Sequence, residues 1–381
     1  MSTDRAWRDA ERELGATPTD AAGWVRLSHA QERAGALGAA GESALRAAAL
    51  DPDPATVARA RALGWHGFWP APTGPGAARR SPLEGPAEGV LRWRARLPRA
   101  VGGAPLVSFT GDVVLTGASA GLLIRSPEGP VQELDDWDAR REPVLYGDAA
   151  GALDPARLRI GRGAVWATAI GPRRIYAHDG ATVLALSAET YVEWRAPFDV
   201  LQLVAGPGGP LLATQAAVVA LDPQGEPRWR TPVSRALLAR GSLARAPGGV
   251  LVAGPKGASC LDPASGELRW RAQAEVSQGL VALDEARAFL AQRQHGLAAR
   301  GLEDGRVHWT RPDLSGIAAL LRAGDAQLLV LRSAQVLSLD AASGETRWAL
   351  APTVTRPLSG LGLGPAGQAY VAAGRELLAL G

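Results

Sequence analysis

One eleven-residue stretch, Cys260-Leu-Asp-Pro-Ala-Ser-Gly-Glu-Leu-Arg-Trp270, constrains the fold most, because it recurs. Leu339-Asp-Ala-Ala-Ser-Gly-Glu-Thr-Arg-Trp348 is its nearest copy. Leu221-Asp-Pro-Gln-Gly-Glu-Pro-Arg-Trp229 and Leu302-Glu-Asp-Gly-Arg-Val-His-Trp309 are shortened versions. A unit repeated at a fixed period decides architecture before any single residue does. Ala258–Leu261 suit a short strand. Asp262 accepts backbone hydrogen bonds from residues just beyond it, Pro263 presets φ, and Gly266 supplies the left-handed residue that closes a turn. Strict alternation in the next strand places Leu268 and Trp270 on one face and Arg269 and Arg271 on the other. An isolated hairpin is not stable in water, so the copies are expected to pack on one another.

Tryptophan sets the count. Trp93, Trp137, Trp194, Trp229, Trp270, Trp309 and Trp348 each end a candidate unit, at intervals of 44, 57, 35, 41, 39 and 39 residues. Roughly forty residues hold four short strands and their turns, the size of one propeller blade. The first blade is read as Leu106–Phe109, Val113–Thr116, Leu122–Arg125 and Val131–Trp137. The second, about 140–194, carries surplus residues in Arg140–Arg159 or near Gly171–Gly180. The last stretch, Leu358–Gly381, holds three strands and stops before a tryptophan strand. The strand around Trp93, whose Leu91, Trp93, Ala95 and Leu97 alternate with polar residues or proline, has no blade before it. It is expected to complete the last blade and close the ring, leaving no open edge. The predicted fold is an all-β seven-bladed propeller over residues 89–381.

Residues 1–63 are different material, alanine- and arginine-rich and poor in β-branched residues. Gly15, Gly35, Asp51-Pro52 and Gly64 punctuate four predicted helices, over Asp4–Leu14, Ala21–Ala34, Gly38–Leu50 and Pro54–Leu63. Trp24, Leu27, Ala40, Ala44, Ala47 and Pro52 have the spacing of a tetratricopeptide repeat, which this segment resembles. Ser28 stands where that family has glycine, and Gln31 where it has an aromatic. The resemblance implies close helix packing through the alanines, with Trp24 and Leu27 filling the seam, and either a small helical cap or dimerisation element or a peptide-binding groove. Residues 64–88, with Pro70, Pro72, Pro75, Pro82 and Pro86, read as a semi-rigid linker. Trp65, Phe68 and Trp69 are expected to dock against one domain.

The string Leu-Asp-x-x-Ser-Gly-Glu-x-x-Trp resembles the repeat of PQQ-like β-propellers over about 90–381, most closely over 215–350. The family includes quinoprotein alcohol dehydrogenases and the lipoprotein propeller of the bacterial outer-membrane assembly machine. The resemblance implies that the seven tryptophans dock between neighbouring blades. Its quinoprotein enzymes use a vicinal-cysteine disulfide, a calcium site and a catalytic aspartate. Cys260 is the one cysteine, so no such disulfide can form, and no cofactor, metal or catalytic residue is assigned.

The remaining signals are weak as chemistry. Gly117-Ala-Ser-Ala-Gly121 matches a nucleophile-elbow string but lies between two predicted strands. Gly362-Leu-Gly-Pro-Ala-Gly367 matches a dinucleotide fingerprint but precedes a strand where that fold needs a helix. His29, His66, His178, His295 and His308 lack ligand spacing. Asp135, Asp136 and Asp138 read as a solvated strand end. Net charge is +3 with Lys256 as the single lysine, and the interspersed arginines do not read as a nucleic-acid footprint. The pairs Arg92/Arg94, Arg228/Arg230 and Arg269/Arg271 are expected to guard outer strands against edge pairing. There is no apolar leader and no span long enough for a bilayer, so the expected location is the cytoplasm. The functional expectation is a non-catalytic scaffold for an unidentified protein partner, with Arg140, Arg141, Tyr146 and Arg157 of the second-blade insertion as candidate contacts. The alternatives are a small-ligand receptor or enzyme using the central channel, and an envelope-assembly factor.

Overall fold

The structure is a computed structural model. It describes most of residues 20–63, 80–134 and 167–381. Residues 64–79 and 135–166, most of 1–19, and short turns elsewhere lie outside the description. Trp65, Phe68, Trp69, Trp137, the aspartates around it, and Arg140, Arg141, Tyr146 and Arg157 all fall outside.

Three helices are described: α1 (Ala21–Arg33), α2 (Leu37–Leu50) and α3 (Pro54–Ala62). Ala40, Ala44, Ala47 and Leu27 are buried where they pack. Ser28 and Gln31 bind across the helix pair: Ser28 Oγ donates to the Ala40 carbonyl at 2.7 Å, and Ser43 Oγ to Gln31 Oε1 at 2.7 Å. Trp24 departs from the expectation of a seam filler. It is only half-buried, with the Arg46 guanidinium 4.8 Å from its ring centroid.

The rest is antiparallel β-sheet with one short parallel addition. Four-stranded sheets comprise β6 (Ala167–Gly171), β7 (Arg174–His178), β8 (Thr182–Leu186) and β9 (Val192–Pro197), then β10 (Val200–Val204), β11 (Leu211–Thr214), β12 (Ala217–Leu221) and β13 (Pro227–Pro232). The next is β14 (Ser242–Ala246), β15 (Gly249–Gly254), β16 (Gly257–Leu261) and β17 (Leu268–Ala272), followed by β18 (Val276–Leu283), β19 (Arg287–Gln292), β20 (Gly296–Gly301) and β21 (Val307–Arg311). A further sheet holds β22 (Ile317–Ala323), β23 (Gln327–Arg332), β24 (Gln335–Asp340) and β25 (Thr346–Leu350), with β1 (Arg80–Ser81) parallel on the free side of β22. β6 and β7 stay paired as far as Gly171 and Arg174. The surplus residues of the second unit therefore precede Ala167.

The sixth sheet joins the two ends of the β region: β26 (Gly360–Leu363), β27 (Ala369–Leu380), β2 (Leu91–Val107), β3 (Val113–Gly117), β4 (Gly121–Ile124) and β5 (Val131–Leu134), in that order. β27 pairs with β26 through Ala369–Ala372 and with β2 through Glu376–Leu380. β2 pairs with β27 through Leu91–Arg96 and with β3 through Gly102–Val107. The register between the two long strands shifts between Arg96 and Val101, and Val101 meets Gly374, a left-handed glycine. The strand at Trp93 is thus hydrogen-bonded to residues 376–380.

Several hydrophobic cores lie between one sheet and the next. One joins Leu251, Cys260 and Trp270 to Val281 and Leu290; another joins Phe289 and Leu297 to Leu328 and Val330. First strands β6, β10, β14, β18, β22 and β26, then β2, touch in succession. Antiparallel sheets stacked face to face through successive inner strands make a β-propeller arrangement.

Leu268 and Trp270 do not share a face. A bulge sets Cys260 opposite Trp270 and Leu261 opposite Leu268, with Arg269 as the extra residue. The two side chains therefore diverge: Trp270 is 8% exposed and Leu268 46%. The same irregularity precedes Trp93, Trp194, Trp229, Trp309 and Trp348. It frees the bulged arginine to reach back to its own turn. Arg269 Nη2 meets Asp262 Oδ2 at 2.6 Å, and Arg347 Nη2 meets Asp340 Oδ2 at 2.7 Å. Arg269, read from sequence as an edge guard, is a clamp on its turn.

Candidate functional site

The recurring turn explains the contacts of the tryptophans. In each described seam an indole N–H donates to a carbonyl in the next unit's turn: Trp194 to Pro223 at 2.8 Å, Trp229 to Pro263 at 3.3 Å, Trp270 to Leu302 at 3.0 Å and Trp309 to Ala341 at 3.1 Å. Three residues further on, or two in the shortened copy, a glycine lies on the ring. A Cβ added at Gly225, Gly266, Gly305 or Gly344 would come within 2.9, 2.5, 2.7 or 2.7 Å of Trp194, Trp229, Trp270 or Trp309. All four glycines are left-handed, so the turn needs glycine twice over, for its backbone and for its neighbour.

Trp348 obeys the same rule with a partner from the other end of the chain. Its indole N–H donates to the Pro86 carbonyl at 3.0 Å, and a Cβ on Gly89 would lie 2.6 Å from its ring. Gly381 N–H donates to the Val90 carbonyl at 3.1 Å, as Asp262 N–H does to Glu267 at 2.7 Å. Residues 86–89 and Gly381 together form a split version of the turn. The segment before it is also anchored. Ser81 is fully buried and accepts from Gly324 N–H at 2.9 Å. Gln327 Nε2 donates to the Pro86 carbonyl and to Ser338 Oγ, both at 2.8 Å. The end of the segment expected as a linker is therefore integral to the sheet assembly. Trp93 packs edge-on to Tyr370, with centroids 5.8 Å apart.

A cleft of about 940 Å³ lies between this segment, the helices and the sheets. Leu83 packs on the helical core beside Ala49. Arg46 reaches Asp325 at 3.6 Å. Trp24, Leu50, Leu83 and Pro86 give the cleft apolar walls, while Arg46, Arg92 and Asp325 bring charge to it. Leu50 is 44% exposed there. Sequence reasoning missed this site, because its lining comes from four separate stretches. The nearest signal was the pairing of a half-polar helical seam with a proline-rich segment.

A second missed feature is a buried ionic group between neighbouring sheets. Arg322, 2% exposed, donates to the carbonyls of Ala323 and Gln327 at 3.0 and 2.9 Å and lies 3.6 Å from Asp284 Oδ2. Asp284 also pairs with Arg287 at 2.8 Å, and Arg287 donates to the Ala341 carbonyl at 2.8 Å. The carbonyl and carboxylate partners of the two guanidiniums are what make such burial tolerable.

Among the described residues no three His, Cys, Asp or Glu side chains gather as a metal would require. Cys260 is buried, and burial pushes its thiol up to about 11. Gly117 and Gly121 end adjacent antiparallel strands, and Gly362–Gly367 leads into β27. Asp262 and Asp340 are both held down to about 2. For Asp262 the first cause is the Ser265 backbone N–H and for Asp340 the Arg347 guanidinium.

Compared with known proteins, residues 255–380 match the family model described as outer membrane protein assembly factor BamB. Among solved structures, the crystal structure of BamB from Moraxella catarrhalis is 14% identical, covers 78% of this chain and 92% of its own, and aligns with a TM-score of 0.49. No curated protein matches this chain.

Proposed function

We propose that this protein is a non-catalytic scaffold for a protein partner. In this reading the β region closes as seven four-stranded blades, each seam docked by one of Trp93, Trp137, Trp194, Trp229, Trp270, Trp309 and Trp348. The long strands β2 and β27 each serve two blades. The helical segment is a tetratricopeptide-type element held rigidly on the closing blade, and the domain map is 1–63, 64–88 and 89–381, with residues 80–88 docked. The proposed location is the cytoplasm.

The observation that carries this reading is the cleft between helices and closing blade. It combines apolar lining from Trp24, Leu50, Leu83 and Pro86 with the charges of Arg46, Arg92 and Asp325. Such a surface suits an amphipathic segment of another protein. The insertion carrying Arg140, Arg141, Tyr146 and Arg157 is proposed as a second contact, loops on a rigid scaffold being where binding residues concentrate. The test is quantitative affinity capture from native-host lysate with the full chain, Leu50→Asp, Arg46→Glu and a control, Val307→Asp, at an equally exposed rim position (46% exposed). A partner held by wild type and control but lost with both cleft variants supports the reading. A partner kept by both overturns it.

The match over residues 255–380 to a family of envelope assembly factors supports a second reading, in which the same scaffold serves outer-membrane assembly. Fractionation of the native host separates the two: recovery in periplasm or envelope replaces the cytoplasmic placement. Use of the central channel for a small ligand has no observation in its favour among the described residues.

A further inference from the structure

The buried ionic group described above has a counterpart two sheets earlier that is built without its acid. Register makes the equivalence explicit. Arg245 pairs with Val250, which pairs with Leu261, the residue before Asp262; Arg322 pairs with Leu328, which pairs with Leu339, the residue before Asp340. The two arginines therefore occupy the same place on the inner strands of alternate sheets. Arg322 faces Asp284, in the turn between the first two strands of the preceding sheet. The corresponding turn facing Arg245 contains Gly208 and Gly209, and Arg245 Nη1 donates to the Gly209 carbonyl at 3.2 Å.

A second cation joins it. A Cβ on Gly208 would lie 2.9 Å from Arg228 Nη1 and 3.3 Å from Arg245 Nη2, so both guanidiniums converge on one point above this glycine. Arg228 holds the bulge position from which Arg269 grips Asp262 in the next sheet. Among the described residues, neither Arg228 nor Arg245 has a carboxylate within ion-pair distance. Burial, and then the charge of Arg228, pulls the Arg245 guanidinium below the usual arginine range. Two like charges at this separation repel unless an anion sits between them. A planar guanidinium matches a carboxylate through paired N–H donors.

We propose that Arg228 and Arg245, over Gly208, form a binding site for a carboxylate supplied from outside the chain, taking the place that Asp284 fills beside Arg322. Arg228 is exposed and Arg245 half-buried, so the site opens to solvent at the seam between β10–β13 and β14–β17. It is separate from the cleft proposed above, and its test succeeds or fails whatever the cleft binds.

Calorimetric titration of the full chain at low ionic strength, with a hexaglutamate peptide and with sodium succinate, tests it. Saturable binding is expected, weakened at least tenfold by Arg245→Leu and by Arg228→Gln and unchanged by Arg230→Gln. Leucine is a sound replacement, because Leu283 holds the equivalent position in the intervening sheet. Preference for the peptide assigns the carboxylate to a polypeptide; equal or tighter succinate binding assigns it to a small acid. Gly208→Asp should supply the acid internally, raise Tm and abolish both titrations. The site is overturned if neither probe binds, if Arg245→Leu binds as wild type does, if inorganic phosphate outcompetes both probes, or if Gly208→Asp leaves binding intact.

Discussion

The turn at Asp262–Trp270 and the one at Gly381 and Pro86–Trp93 have the same plan and different construction. The first is one continuous loop. The second is assembled from residues far apart in sequence. Both place a carbonyl under an indole N–H and a glycine on its ring. Only the continuous turn has the aspartate whose carboxylate caps backbone N–H groups and grips the bulged arginine. Gly381 stands at that place in the split turn. The seam therefore depends on the glycine and the carbonyl, while the aspartate–arginine clamp serves the loop that carries them.

The largest effect should come from removing the ring. Trp270→Ala and Trp348→Ala each strip a large side chain from a seam, a change that typically costs about 3–5 kcal/mol. Denaturant unfolding should show comparable losses, but hydrogen exchange should separate them. Trp348→Ala should speed exchange across 80–96 and 376–381, where two ends of the chain meet. Trp270→Ala should leave those residues protected. Equal protection in both variants would break the distinction between split and continuous turns.

The glycines give the next contrast. Gly266 is left-handed, and a Cβ there would also strike Trp229 at 2.5 Å. Gly89 lies outside the left-handed region and has only the ring to contend with, at 2.6 Å. Gly266→Ala should therefore cost more than Gly89→Ala by about 1–2 kcal/mol, the usual penalty of the left-handed backbone for a residue with a Cβ. Urea melts of the pair measure the difference directly. Cys260 offers a quieter probe of the same continuous unit. With its thiol pushed up to about 11 and buried, maleimide labelling of native protein at pH 7 should be slow, and Gly266→Ala should accelerate it more than Gly89→Ala.

These contrasts show what was legible in the chain. Pro86-Ala-Glu-Gly-Val-Leu-Arg-Trp93 copies Pro263-Ala-Ser-Gly-Glu-Leu-Arg-Trp270 closely enough to reveal a turn. A boundary at 88/89 nevertheless divides it, because proline and glycine also mark tethers. The strand at Trp93 could be assigned to the last residues because edges demand partners, and β2 does pair with 376–380. The bulge could not be read, since alternation assumes one residue opposite one residue; Leu268 left the face of Trp270 for that reason. The pairing of Arg322 with Asp284, and the convergence of Arg228 and Arg245, link residues on different sheets. No local pattern records that distance. The cleft was hidden for the same reason, with Trp24, Leu83 and Asp325 contributed by three of its four stretches.

The smallest effect is the pH dependence that the clamp confers. Asp262 and Asp340 ordinarily titrate near 3.8 and are held down to about 2 in the folded chain. A depressed carboxylate contributes stability that is complete above the unfolded value and fades as pH falls through the folded one. The continuous turns should therefore lose their clamp between about pH 4 and pH 2. The split turn has no aspartate at that place, so replacing the two aspartates should leave it untouched. Both carboxylates are partly exposed, so the effect is modest and weakens with salt. Urea midpoints from pH 5 to pH 2 should fall less steeply in Asp262→Asn/Asp340→Asn than in wild type. Hydrogen exchange at Val90 and Gly381 should not distinguish that variant from wild type at any pH in the range. A double variant with an unchanged slope would mean the clamp holds loop geometry without contributing to stability.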